Sequence, residues 1–360
     1  MKPSRIAIFA LALAMLALGL SVSISRLRHG RLDLPGRIEG IEETEGADLP
    51  GEAEPEPVPT RFDILTGLPV FGDEEAMHLA VVVENAPAAR PQTGLHEAAL
   101  VYEVPVEGGI TRFLAIYSRA PSGPVGPVRS LRSYLMDLAE AHDVPLVFCG
   151  GSPDSLAMVK QKSYPAINEL NGGTGFYRDS ARKMPHNLYT SPEALYRRIA
   201  RAGFDTATAR TGFVFQQGLR VGSAGTWGES GSSAQGLSSR MGVGYTVSWT
   251  YAPGSGMYER SVNGAPDIDS SGDHRIVARN VVVMFVSSRV VDSEGRLELG
   301  LVGSGRALVA SGGSVREARW KRSAGQPVRL VGDDGADIPL LAGITWVHVV
   351  SQSTRVDVTE

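Results

Sequence analysis

A single cysteine, Cys149, stands in the 360 residues. It cannot form an internal disulfide, and no Cys/His spacing suggests zinc, so stability must come from packing. Lysine is also scarce, with Lys2, Lys160, Lys162, Lys183 and Lys321 against an otherwise arginine-based positive charge. That bias reads as codon composition rather than a binding signature. No Walker or dinucleotide pattern and no internal repeat is found, and nothing in the motifs calls for a cofactor. The charge is uneven. Met1 to Arg37 is basic, with six Lys or Arg against Asp33 alone, whereas residues 38–60 carry eight acids and no base. The remainder is close to neutral, which excludes the broad basic footprint of a nucleic-acid-binding domain.

Hydrophobic residues at 42% and charged residues at 21% fit a globular chain and exclude wholesale disorder or a polytopic membrane protein. The length predicts two folded domains, and 42 glycines with 22 prolines predict many turns and short strands. Residues 1–37 hold an uncharged run, Ile6 to Ser25, flanked by Lys2, Arg5, Arg26, Arg28 and Arg31. Its twenty residues suit a retained single anchor in the cytoplasmic membrane. Ser21 and Ser23 leave signal cleavage and a secreted product as the alternative. The basic residues after the run would by charge alone hold the body in the cytoplasm. Residues 38–60, rich in Glu and Pro, read as an extended acidic linker.

Residues 61–217 predict a mixed α/β domain. Strands are expected over Leu79–Val83, Leu100–Val104, Arg112–Tyr117 and Val144–Phe148. Helices are expected over Leu131–Ala141 behind Ser130, from Pro153 onward, and over Pro192–Ala202 between Ser191 and Gly203. Residues 218–244, rich in Gly and Ser, read as a linker. Residues 245–360 show short strands punctuated by Asn263-Gly264, Gly312-Gly313 and Asp334-Gly335, which predicts an all-β sandwich or barrel. The fold class expected overall is α+β, the two halves having separate cores.

Four segments could carry chemistry. Arg129 and Arg132 sit at a predicted helix start, where cations are unfavourable unless an anion lies between them. An internal ion pair is the alternative. Gly150-Gly151-Ser152-Pro153 forms a strand-to-helix junction able to cradle an anion or simply to connect tightly. Phe176 to Tyr189 gathers Arg178, Asp179, Arg182, Lys183, His186 and Asn187 among aromatics, a composition suited to an anionic sugar or peptide, with Arg112 joining from a strand. Glu103 and Glu107 invite a two-carboxylate hydrolase reading, but four residues of strand span about 13 Å, too far for a glycosidase pair. Either acid would then need Asp179 or His186 as partner. Asp267, Asp269 and Asp273 open like a calcium loop, but Ala278 falls where the closing Glu should be, so a hairpin loop is expected instead of a metal site. Cys149 reads as a small core residue.

Several motifs together resemble the YerB family of bacterial envelope lipoproteins. They are Arg90-Pro91-Gln92-Thr93-Gly94-Leu95, Val101-Tyr102-Glu103-Val104, Glu107 through Phe113, Gly126 through Ser130, Gly150 through Asp154, Phe176 through Tyr189, Gly303-Ser304-Gly305, Trp320-Lys321 and Gly343 through Trp346. The resemblance implies a two-domain envelope protein of unknown function, with its body outside the cytoplasmic membrane. This chain departs from the family in lacking a lipobox cysteine, so a peptide anchor would replace the lipid. A histidine common in the family before Gly150 is also absent, Phe148-Cys149 standing there. The expected function is binding of an anionic envelope ligand, a peptidoglycan fragment or other acidic glycan or peptide, by Arg112, Arg129, Arg132, Gly150, Gly151, Ser152, Arg178, Arg182, His186 and Asn187. An envelope hydrolase using Glu103, Glu107, Asp179 or His186 is the competing reading, and a structural interaction module the third. No protein partner can be named from the motifs.

Overall fold

A computed structural model describes residues 58–216, 232–233 and 235–359. The apolar run at 6–25, most of the acidic segment at 38–60 and the stretch 217–231 lie outside the described residues. Among the described residues no helix is long and apolar enough to cross a membrane. Residues 57–360 form one compact unit.

In chain order the first half contains strands β1 (Leu79–Glu84), β2 (Leu100–Pro105) and β3 (Thr111–Tyr117), then helix α1 (Ser133–His142). Strand β4 (Leu146–Phe148), helix α2 (Pro153–Gln161) and strand β5 (Ala166–Asn168) follow. A hairpin of β6 (Phe176–Arg178) and β7 (Leu188–Thr190) precedes helix α3 (Pro192–Ala202). The second half contains β8 (Gly236–Gly242), β9 (Tyr245–Ala252), β10 (Met257–Val262), β11 (Asn280–Val286) and a small hairpin of β12 (Ser288–Val290) and β13 (Leu297–Leu299). It closes with β14 (Gly303–Ser311), β15 (Ser314–Arg322), β16 (Thr345–Ser351) and β17 (Val356–Thr359). Three helices and many strands give the expected α+β class, mixed in the first half and all-β in the second.

The expected separation into two cores is not what the chain does. One eleven-stranded sheet runs through both halves in the order Ser232–Ser233, β15, β14, β11, β16, β2, β3, β1, β4, β5, with Arg329–Val331 added beside β15. The seam is β16 against β2, parallel, with Thr345 opposite Leu100 and His348 opposite Glu103. Strict alternation along these strands loads both faces. Ala80 and Val82 of β1 join Tyr102, Leu114, Val282 and Val347 in a core covered by Leu135 and Leu138 of α1. Leu79, Val81 and Val83 turn to the other face with Phe113, Val281 and Trp346, under Leu195 and Ile199 of α3 and the Trp249 ring of β9. Both cores therefore draw on both halves, because strands buried on two faces cannot be split without exposing one of them.

A second sheet, ordered Ala265–Pro266, β10, β9, β8, β17 with Val277–Ala278 beside β10, makes the sandwich. Strand β8 lies inside the segment read as a linker, which corrects that reading for residues 236–242. Its Leu237 is buried and Gly236 touches the Trp249 carbonyl so closely that a Cβ would sit 2.3 Å from it. Glycine there permits close strand packing rather than flexibility. Helix α1 begins two residues later than expected. Leu131 instead continues an extended segment bridged to Gly151, so Arg129 precedes the helix and Arg132 is its N-cap. Helices α2 and α3 begin behind Ser152 and Ser191 as expected, and α3 ends at Gly203 in the left-handed region.

Candidate functional site

The parallel strands β1, β4 and β5 end together, and the sequence has placed its polar residues just there. Glu84 closes the apolar run of β1, Cys149 and Gly150 follow β4, and Asn168 and Glu169 end β5. Carboxyl ends of parallel strands are the usual ligand edge of α/β sheets. Arg112 faces Glu84 across the antiparallel β1–β3 ladder. Arg129 is brought alongside by the extended segment, whose backbone bonds Val82 on one side and Cys149 on the other. The β6–β7 hairpin is tied on through Val128 and Leu188 and delivers His186.

Glu84 is the centre, and its side chain is only 3% exposed. Its Oε1 lies 3.1 Å from Arg129 Nε and its Oε2 lies 3.0 Å from His186 Nδ1. Neither approach is aligned as a hydrogen bond, so Glu84 Oε2, Arg129 Nε and His186 Nδ1 remain unsatisfied buried atoms. Arg112 donates from Nη1 to the Ser130 carbonyl at 2.8 Å, while its buried Nε finds no acceptor. Burial pushes the Arg112 guanidinium down to about 10, Tyr134 and Glu84 opposing the shift and Arg129 adding to it. At neutral pH it stays charged. On the same rim Arg178 reaches Glu169 at 3.6 Å and donates to Asn187 Oδ1 at 3.1 Å. The Cys149 thiol, pushed up to about 11 by burial and by Glu169, which it meets at 3.2 Å, is inert as a nucleophile at neutral pH.

The other expected residues go elsewhere. Arg182 fastens its loop to the Ala89 and Pro91 carbonyls, each at 2.7 Å. Asn187 donates to the Asp179 and Arg182 carbonyls, and Asp179 accepts the Ala181 N–H, so both shape the loop. Arg132 pairs with Glu107 through two contacts, one of them from Nε at 3.0 Å. With Gly151 and Ser152 these two line a separate cleft of about 170 Å³, next to Glu294 and Arg296. The charge conflict at the helix start is thus resolved internally for Arg132, whereas Arg129 shares the single carboxylate of Glu84 with His186. Asp267 pairs with Arg260, and Asp269 accepts the backbone N–H groups of Gly94, His96 and Ser271. Asp273 sits at the turn of that hairpin with positive φ. Among the described residues no cluster of three or more His, Cys, Asp or Glu is placed to hold a metal.

Glu103 is no surface acid. It is fully buried at the seam between the halves, where four neighbours donate to it and a fifth, His348, faces it. Oε2 receives Arg260 at 2.8 Å and faces His348 Nδ1 at 3.2 Å. Oε1 receives Tyr245 at 2.6 Å, Thr111 at 2.7 Å and Asn85 at 3.2 Å. The Trp249 indole donates to His348 Nε2 at 2.8 Å, which leaves the ring proton on Nδ1, toward Glu103. Burial would raise the Glu103 carboxyl, but Arg260 and His348 beside it and the hydrogen bond from Tyr245 hold it well below the usual range. Arg90 stacks on the Tyr245 ring at 4.1 Å and, with Gln92, binds Asn85. This closed, buried network is a lock between the halves.

An α+β protein with one sheet common to both halves, covered on both faces, and a charged strand-end site is the class these features define. Residues 65–205 and 237–347 match the N-terminal and C-terminal domains of a protein family of unknown function, DUF3048. The chain is 31% identical over 282 residues to "Putative lipoprotein YerB" of Bacillus subtilis (strain 168), covering 77% of this chain and 82% of that one. The crystal structure of the YerB protein from Bacillus subtilis superposes with a TM-score of 0.72 at 30% identity, covering 82% of this chain and 99% of that one. The chain belongs to the YerB family. Glu84, missed in the sequence, was signalled by a lone acid ending an apolar strand.

Proposed function

We propose that this chain is a membrane-tethered extracytoplasmic protein of the cell envelope whose strand-end site binds an anionic ligand, a peptidoglycan fragment or other acidic glycan. The observation that carries the reading is that Arg112, Arg129 and His186 converge on the single carboxylate of Glu84, leaving buried donors without acceptors. A carboxylate or phosphate oxygen supplies those acceptors and the missing negative charge. Arg129, His186 and Arg178 are each between a quarter and a third exposed, so a ligand can reach them. The apolar run at Ile6 to Ser25 and the lipoprotein name of the Bacillus relative support the envelope address.

One specific contact favours a second reading. Glu84 against His186 Nδ1 is an acid–imidazole dyad whose Nε2 is free to move a proton, as an envelope hydrolase would need. Calorimetric titration of the full chain with muramyl dipeptide and with its neutral diamide separates the readings. Binding of the acid alone, weakened about 10- to 150-fold by Arg129→Gln for one lost charge-assisted contact, supports the anion site. Equal binding of acid and diamide overturns it. Turnover abolished by Glu84→Gln would move the assignment to the hydrolase.

A further inference from the structure

A second recognition surface lies on the far side of the Arg129 to Arg132 segment. The cleft of about 170 Å³ shares Arg132, Ser152 and Arg296 with a middle cleft of about 340 Å³, which in turn shares Tyr134, Asp154 and Leu297 with a groove of about 520 Å³. Its floor is apolar, with Tyr134, Met158 and Leu301. One wall is the unbroken run Leu297 to Val302. Leu297, Glu298 and Leu299, the three consecutive residues of β13, all line it although alternate residues of a strand face opposite ways, so the groove meets β13 at its backbone edge.

That edge is open. Val291 N–H donates to Arg296 and Gly300 N–H donates to Ser287, which sets Arg296, Glu298 and Gly300 as the residues whose backbone groups turn to β12. The N–H groups of Leu297 and Leu299 and the Leu297 carbonyl therefore point away from the hairpin, and among the described residues none of them has a partner.

The charge of the lining is negative. Glu107 holds Arg132, Asp137 holds Arg322, and Glu298 faces Arg289. Asp292 and Glu294 share Arg296 between them. Asp154 makes no ion pair among the described residues, Arg132 acting on it only from longer range, and although burial opposes it, local hydrogen bonding holds its carboxyl below the ordinary range. Two carboxylates are thus in surplus beside an apolar floor.

We propose that this groove captures an extended basic peptide segment, which adds a strand to β13 and sets a lysine or arginine against Asp154. Main-chain bonds to Leu297 and Leu299 supply affinity without sequence demand, while the acids and the apolar floor choose alternate side chains. The site is independent of the anion site.

The test uses the full chain with two fluorescein-labelled probes, Val-Lys-Val-Lys-Val and Val-Glu-Val-Glu-Val, both capped at their ends. Anisotropy should give the lysine peptide an affinity at least about tenfold tighter, one charge contact being worth about 1.4 kcal/mol. N-methylation of its central residue should abolish binding. Hydrogen exchange read by mass spectrometry should slow across residues 296–302 when the lysine peptide is bound. Asp154→Asn, at an exposed position that folding tolerates, should reduce the lysine peptide's affinity about tenfold and leave the glutamate peptide unaffected. Equal affinities for the two probes, no saturable binding, or binding without protection at 296–302 would each overturn the proposal.

Discussion

Replacing Glu103 with Gln keeps the shape of the side chain and removes its charge, at the buried seam where the two halves of the chain meet. Four donors converge on its two oxygens, from Arg260, Tyr245, Thr111 and Asn85, with His348 Nδ1 facing the same oxygen as Arg260 at 3.2 Å. A glutamine amide offers one acceptor oxygen and adds two donors of its own, so either Arg260 and His348 or the three donors on the opposite oxygen lose their acceptor. Breaking a buried ion pair costs about 3 to 5 kcal/mol. Asp267 still holds Arg260, which places the expected loss near the lower end, about 3 kcal/mol. Urea unfolding at pH 7, followed by tryptophan fluorescence and by far-ultraviolet circular dichroism, measures it. Trp249 and Trp346 lie within this core and report its loss. The two probes should trace one coincident transition, displaced to lower urea at unchanged slope. Adding Arg260→Met to the variant should recover at least about 1 kcal/mol relative to the sum of the single effects. A loss below about 1 kcal/mol, or two separated transitions, would refute a seam that joins both halves in one cooperative unit.

Acid should weaken the fold in two windows. His142, neutral between the Tyr102 hydroxyl at 2.9 Å and the Arg210 carbonyl at 2.7 Å, is held down to about 4 by burial against an ordinary 6.5. The unfolded chain therefore takes up the proton first, and about 3 kcal/mol of stability present above pH 6.5 is lost as the pH falls to about 4. Chemical denaturation at stepped pH should show this slope, and His142→Asn should flatten it. Glu103 has the opposite protonation chemistry but the same sign, its contribution being full above about 4.5 and lost only below that. Arg132→Gln, which strands a partly exposed Glu107, should cost about 1 kcal/mol of stability and leave muramyl dipeptide affinity unchanged. Protease added to intact cells stripped of outer layers should cut within residues 38–60, and full protection there would place the body inside.

Much of this fold is legible in the sequence because its central strands are simple. Leu79 to Val83 and Val281 to Val286 are continuous apolar runs, as strands buried on both faces must be, and each is a strand of the main sheet within one residue of its expected ends. Asn263-Gly264 and Gly312-Gly313, all at positive φ, make the expected hairpins. What a local reading cannot supply is pairing between distant strands. Nothing in Leu100 to Pro105 or Thr345 to Ser351 announces that they lie side by side, so the change of pattern near residue 218 looks like a boundary between cores. Gly236 to Gly242 lacks β-branched residues and reads as loop, although Trp249 and Thr250 across the ladder make it a strand. The site was half legible. Arg112, Arg129 and His186 stood out by charge and do converge, but their common partner Glu84 lies far from them in sequence. Glu103 shows the reverse error, since an acid beside motif residues suggests chemistry until its four buried donors show it to be structural.

The anion site is tested most directly by the melting temperature of Glu84→Gln with and without muramyl dipeptide. Removing the shared carboxylate leaves Arg112 buried without compensation, so the free variant should melt lower, by a stability loss of about 3 kcal/mol. The ligand's carboxylate then meets Arg112, Arg129 and His186 with no competing acid, so its stabilisation of the variant should exceed its stabilisation of the wild type. A ligand that protects the wild type but not Glu84→Gln would contradict the account, since it would make Glu84 a group that holds the ligand rather than one that competes with it.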